Sequence, residues 1–329
     1  MKKILITGAG GFIGSHMVKY LKERGYWVRG VDIKEPEFTK SYADKFVLVD
    51  LRSAEGCRSV TEGVEEVYNF AANMGGIGFI TRVKADVMHD NALINANMLE
   101  ACIKNNVERF FFSSSACIYP HQLQEDDSYI ANLKELDAYP AQPGTPYGWE
   151  KLFSEIMCKS FEEDYGLTTR ITRYHNIYGP EGTYQGGREK APAALCRKVA
   201  LAKDGGSIII WGNGKQIRSF LYIDDCLEAT RLLMESDCQE PMNIGSDQAI
   251  SINELTDMII QISGKKIKKK YDLSKPVGVR SRNADVTLIK KKLNWQPKVS
   301  YRKGLVKTYR WVEEQVKKDE LQHRGTGQG

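Results

Sequence analysis

The chain offers little that would staple it, bind a metal or hold it in a membrane. Its seven cysteines (57, 102, 117, 158, 196, 226 and 238) are scattered through 329 residues, odd in number and without a Cys-x-x-Cys pair. That excludes a disulfide framework and a paired-cysteine zinc site, and it leads us to expect reduced thiols in a cytoplasm. The five histidines show no metal-ligand spacing, so no metal is expected. No stretch approaches the roughly 20 apolar residues that span a bilayer. The apolar run after Met1 is too short for a secretory leader, and glycines follow it at once. No membrane partner is therefore expected. Charge of one sign is also scarce: the net value is +5, much of it in Lys265-Lys266-Ile267-Lys268-Lys269-Lys270. Such a run reads as a solvated face rather than a nucleic-acid patch, so no nucleic-acid partner is expected. The mild basic balance suits an anionic ligand such as a nucleotide diphosphate.

What is present is a chain with 42% hydrophobic residues, enough for a large core in one large domain or two joined ones. Apolar runs predict strands at 3–7, 27–32, 46–49, 66–70, 109–113 and 168–174. Helical periodicity predicts helices at 12–24, 53–62, 86–104 and 147–165. This alternation indicates an α/β fold, a doubly wound parallel sheet of the Rossmann type. From about residue 175 the pattern changes. Turn-rich segments give way to a helix at 190–202, a strand at 208–211, a helix at 252–262, a basic strand at 266–271 and helices at 286–292 and 302–318. We expect a dinucleotide-binding domain from 1–174 and 219–246. A smaller mixed α/β substrate lobe would take 175–218 and 247–318, with 319–329 a flexible tail.

Gly8, Gly11 and Gly14 lie between the first strand and the first helix. Glycines there let the backbone approach a pyrophosphate, and the helix N-terminus offers N–H donors. Phe12 and Ile13 fall inside the same turn. Asp32 ends the second strand, where a carboxylate accepts bonds from ribose hydroxyls and repels a 2′-phosphate, which favours NAD. The lesser alternative is that Asp32 is a turn residue, and Lys34 nearby bears on the choice of cofactor. Asp50 and Leu51 close the third strand. They either border the adenine or, for Asp50, cap the next helix.

Tyr147 and Lys151 stand four apart on a predicted helix and so share a face. A lysine ammonium, together with a nicotinamide charge, would lower the tyrosine pKa and make Tyr147 a base for a hydroxyl proton. Ser115, at a strand end, can bond the same substrate oxygen. Two residues on stands Cys117, which is either chemical or a small buried hydrophobe, as free cysteines usually are.

These features resemble the extended short-chain dehydrogenase/reductase superfamily. More finely, the chain resembles the GDP-mannose 3,5-epimerases over nearly its whole length. Met74-Gly75-Gly76-Ile77-Gly78-Phe79, Ser114-Ser115-Ala116-Cys117-Ile118-Tyr119-Pro120, His175-Asn176-Ile177-Tyr178-Gly179-Pro180, Gly186-Gly187-Arg188-Glu189-Lys190-Ala191-Pro192 and Gly278-Val279-Arg280-Ser281-Arg282-Asn283 carry the likeness. The resemblance implies tightly bound, recycled NAD and transient oxidation of a GDP-sugar at C4. Protons would then exchange at C3 and C5, with Cys117 and Lys190 as base and acid. GDP-α-D-mannose would become GDP-L-galactose, with GDP-L-gulose a further candidate product. A ketone at C4 acidifies both neighbouring C–H bonds, and inversion needs one group on each ring face. Lys190 as a plain phosphate contact is the rival role.

The resemblance further implies that Gly75, Ala116, Asn176, Glu189, Ala191, Lys198, Gln216, Arg218 and Arg280 bind the sugar or GDP, and that the chain is a homodimer through helices 86–104 and 147–165. Gly144-Thr145-Pro146 reads as a local insertion. Other readings are an epimerase of another GDP-sugar such as a GDP-heptose, a nucleotide-sugar 4-epimerase that needs no Cys117–Lys190 pair, and a non-catalytic NAD sensor.

Overall fold

A computed structural model describes residues 1–126 and 130–325. Its centre is a parallel sheet. Strands β1 (Lys3–Thr7), β2 (Trp27–Asp32), β3 (Lys45–Leu48), β4 (Glu66–Asn69) and β5 (Arg109–Ser115) lie in the spatial order β3-β2-β1-β4-β5. Thr168–Tyr174 and then Met242–Ile244 extend the β5 side. Helices cover both faces, so strands such as β1 and β4 are nearly continuous buried runs rather than alternating ones. The order reverses at β1, between β2 and β4. A crevice opens beyond the C-terminal ends of the strands at such a switch point.

Helices α1 (Phe12–Lys22), α2 (Ala54–Thr61), α3 (Ile77–Ile80), α4 (Lys84–Lys104) and α5 (Pro146–Tyr165) connect or flank these strands. The segment Gly144-Thr145-Pro146 has a clear local task. Thr145 is the N-cap of α5, its hydroxyl accepting from Gly148 N at 3.1 Å, and Pro146 takes the first helical position. Such a cap contributes about 1 kcal/mol. The sheet is tied to α5 by a buried pair: Arg173 Nη2 lies 2.8 Å from Glu155 Oε2, both almost wholly buried, and Ser114 donates to the same carboxylate. Losing one partner of a buried pair of this kind costs about 3–5 kcal/mol.

A second sheet lies beyond the C-terminal end of β5, where its Arg282 reaches Cys117. It joins Ile250–Ser251, Ile217–Arg218, Ser281–Ala284 and Asn132–Leu133 in that order. The last of these comes from the N-terminal half of the chain. Helix α6 (Ala191–Leu201) packs against the helices Ile252–Ser263 and Tyr301–Gly325.

Two expectations need correction. Residues 319–325 are not a loose tail: the last helix runs through Tyr301–Gly325, and Asp319 accepts from Tyr184 Oη at 2.7 Å. Residues 326–329 lie outside the described residues. The lysine run is not uniformly a solvated face either. Lys265 Nζ donates to the carbonyls of Val199, Ala200 and Ala202 and so closes the C-terminus of α6, where a cation is favoured. Among the described residues no helix is long and apolar enough to cross a membrane.

Candidate active site

At the dinucleotide end, Gly8 has φ +66°, and a Cβ on Gly14 would lie 2.1 Å from Gly8 O. Strand end and helix start therefore touch backbone to backbone. Gly11 is the N-cap of α1 with no side-chain cap, and the first turn holds no acidic residue. The N–H groups opening at Phe12 and Ile13 thus remain for an anion. Asp32 Oδ2 accepts from Gly10 N at 2.9 Å and Oδ1 from Ile33 N at 2.7 Å. These bonds aim a partly exposed carboxylate that keeps further acceptor capacity for ribose hydroxyls. The residues present fit a dinucleotide. Gly10 was missed as a site residue, although a Cβ there would lie 2.1 Å from Lys34 O. Its signal in the sequence is its close spacing to Gly8 in Gly8-Ala9-Gly10. Leu51 is buried. Asp50 does not cap α2; Ser53 does, accepting from Gly56 N. Asp50 instead pairs with Arg52, with Nη2 to Oδ2 at 2.6 Å.

At the other end of the crevice, β5 runs into a short turn at Ala116–Ile118. Ser115 Oγ accepts from Cys117 N at 3.1 Å. Tyr147 and Lys151 project from α5 against this turn, both buried. Burial raises the Tyr147 phenol above its usual pKa, and Cys117 and Glu150 add to the rise while a bond with Ser115 opposes it. The expected lowering by Lys151 is not found. Its ammonium faces rings, 4.8 Å from the Phe112 centroid and 5.8 Å from that of Tyr147.

Cys117 differs from every other cysteine. The other six are buried, and all six thiols are pushed up, mainly by burial. Cys117 keeps some exposure, and its pKa is held below the usual thiol value. Burial opposes that fall, but the charge of Arg282, bonds from Ser115 and Arg282, and the charge of Lys190 outweigh it. Arg282 Nη1 donates to Cys117 Sγ at 3.3 Å, while its Nε donates to Gln124 Oε1. Arg282 was not picked out from the sequence as a site residue, because nothing local announces a partner 165 positions away. Lys190 has its own pKa lowered by burial, with Cys117 pulling the other way. A thiol drawn down and an ammonium drawn down are both moved toward the range in which side chains act as general bases and acids.

The remaining candidates spread outward. Ala116 is buried beside Cys117, and Gly75 is buried against Phe79. Asn176 Nδ2 donates to Ser219 O at 3.0 Å. Glu189 accepts from Gly187 N, and Ala191 opens α6. Arg218 is largely occupied by backbone, donating to Ile217 O, Val277 O and Val279 O. Burial and the nearby Arg282 push its pKa down to about 9. Lys198 and Gln216 meet around Trp211: the ammonium is 5.5 Å from the indole, and Gln216 Nε2 donates to Trp211 O at 3.2 Å. Gln216 Oε1 is buried without a partner. Arg280 is exposed on the loop before Arg282.

Replacing Arg282 by Gln removes the largest counterweight to burial at Cys117. The thiolate exists above the thiol pKa and is lost as pH falls through it, so the Cys117 alkylation profile should move to higher pH. On the acid side of the profile, a thiol whose midpoint rises by about one pH unit is alkylated about tenfold more slowly. Iodoacetamide labelling followed by peptide mass mapping reads this directly, and an unmoved profile contradicts the role of Arg282.

Known proteins resemble the chain over nearly its whole length. The GDP-mannose 3,5-epimerase of Arabidopsis thaliana is 48% identical over 319 residues, covering 96% of this chain and 84% of the relative. The UDP-glucose 4-epimerase of Thermotoga maritima, solved with UDP-glucose, superimposes with a TM-score of 0.86 at 29% identity, covering 95% of this chain and 99% of that one. The UDP-glucuronic acid 4-epimerase of Bacillus cereus, solved with UDP-glucuronic acid and NAD, gives 0.81 at 27% identity, covering 95% and 99%. The profile of the NAD dependent epimerase/dehydratase family matches residues 4–245, and the chain belongs to that family.

Proposed function

We propose that this chain is a GDP-mannose 3,5-epimerase, forming GDP-L-galactose with GDP-L-gulose as a second product. The observation that carries the reading is Cys117, the one thiol held low, placed beside Ser115 and Tyr147 within the electrostatic reach of Lys190. The near-full-length likeness to a plant GDP-mannose 3,5-epimerase supports the substrate. A 4-epimerase needs a hydroxyl base and a serine, but no such thiol and amine.

NAD, tightly bound at the glycine turn and Asp32 and recycled, supplies the redox chemistry at C4. The work of the chain is proton transfer and positioning. Tyr147 takes the proton of the C4 hydroxyl, while Ser115 holds that oxygen. Tyr147 stands above its usual pKa, so the positive charge of a bound nicotinamide is what would make it a usable base. With a carbonyl at C4, Cys117 removes the proton at C5 or C3, and Lys190 delivers one to the opposite face. Lys198, Gln216, Arg218 and Arg280 hold the nucleotide and its diphosphate, with Asn176, Glu189 and Ala191 nearer the sugar. Residues 1–174 with 219–246 hold the cofactor and bear Ser115, Cys117 and Tyr147, and 175–218 with 247–318 supply most of the remaining sugar-nucleotide contacts.

A second copy of the chain is the partner we propose for the outer face of α4 and α5. Trp149, Phe153 and Ile156 are exposed there at helical spacing, with Met88 and Leu93 on the neighbouring helix. An apolar stripe of this kind marks an interface.

In deuterium oxide, wild-type enzyme should place solvent deuterium at C3 and C5 of GDP-mannose. Cys117→Ala should abolish that exchange yet leave reduced nicotinamide detectable after mixing. Clean inversion at C4 without label at C3 or C5 would rule out this function. For the interface, Phe153→Glu should convert a dimer to monomers in sedimentation velocity; a wild-type chain that sediments as a monomer contradicts it.

A further inference from the structure

Lys190 sits at the end of the loop that follows Ile177–Tyr178 and leads into α6. Gly186 and Gly187 in this loop have φ of +86° and +84°, and a Cβ on either would meet no atom within 4 Å. Glycine is needed there for backbone freedom, not for packing, so the pair forms a pivot. The next residue, Arg188, ties the loop down. Its guanidinium carbon lies 3.9 Å from the centroid of the Phe79 ring. Its Nη1 donates to Met74 O at 3.2 Å and to Asn73 Oδ1 at 3.4 Å. Its carbonyl accepts from Gly76 N at 3.0 Å. Gly76 allows this approach, because a Cβ there would lie 2.5 Å from Glu189 O.

Phe79 is not a bystander. It is buried in a small cluster with Ile80, Val87 and Tyr147, and Cys117 packs against the same cluster. One ring therefore touches the loop of Lys190 on its outer face and belongs on its inner side to the cluster of the hydroxyl base and the thiol.

We propose that Arg188 is a positioning residue: it latches the Gly186-Gly187 pivot onto Phe79 and so fixes Lys190 opposite Cys117. The proposal rests on the reading of Cys117 and Lys190 as a proton-transfer pair. Arginine suits the position because its planar group stacks on the ring while its fork donates sideways; lysine retains only the cation over the ring. A proton donor released by even about 1 Å loses on the order of a hundredfold in rate.

The test has two arms on the NAD-loaded enzyme. Without any sugar, the pH profile of Cys117 alkylation is compared among wild type, Lys190→Met, Arg188→Ala and Arg188→Lys. If the latch holds Lys190 in place, Arg188→Ala moves the profile upward as Lys190→Met does, and Arg188→Lys falls between Arg188→Ala and wild type. An upward move in Lys190→Met with Arg188→Ala still at wild type overturns the proposal. With GDP-mannose in deuterium oxide, Arg188→Ala should lower kcat for exchange about a hundredfold, with KM little changed and reduced nicotinamide still formed. Unchanged kcat, or a loss confined to KM, overturns it as well. Absence of exchange by the wild type would count against the substrate reading, and the alkylation arm would still decide the latch.

Discussion

The arrangement depends on one close approach. Gly148, in the first turn of α5, lies against the carbonyl of Cys117; a Cβ there would sit 2.1 Å from that oxygen and 2.9 Å from Pro143. Any side chain would force the helix away from the turn that ends β5. Because the position is glycine, Tyr147 and Lys151 are carried on a helix seated on the same turn that presents Ser115 and Cys117. Thr145 and Pro146 start that helix at the right residue, and the Glu155–Arg173 pair anchors its middle to the sheet. Tyr147 and Cys117 are thus placed by backbone contact before any charge is considered.

Charge then distinguishes the groups so placed. Burial acts on Cys117, Lys190 and Tyr147 alike, disfavouring whichever form is charged. What separates them is their company. Arg282 and Lys190 stabilise a thiolate at Cys117, whereas Tyr147 faces Cys117 and Glu150 and is raised. A thiol brought down and an amine brought down are both moved toward the working range of a base and an acid, and the phenol waits on a nearby positive charge. The division fits an enzyme that needs one base for a hydroxyl and a second pair for carbon acids.

Much of this was legible in the chain and some was not. The central strands and their helices announced themselves because long apolar runs and 3.6-residue periodicity are local signals. The second sheet did not, since two-residue strands such as Asn132–Leu133 and Ile217–Arg218 carry no pattern, and Asn132 meets Asn283 from 151 positions away. Arg282 stood inside a quoted motif, yet its bond to Cys117 is a product of the fold. The raised Tyr147 phenol was not legible, because the burial and the charges of Cys117 and Glu150 around it are products of the fold. The last helix outran its predicted end because Asp319 finds Tyr184, a contact invisible in a polar C-terminal segment.

The central claim is that oxidation at C4 is borrowed and returned while the hydrogens at C3 and C5 pass through side chains open to solvent exchange. GDP-mannose deuterated at C3, C4 and C5, carried to equilibrium with the enzyme in ordinary water and examined by NMR, tests it most directly. The account predicts deuterium kept at C4 and replaced by hydrogen at C3 and C5. Deuterium kept at all three carbons, or lost from C4 alone, would contradict it.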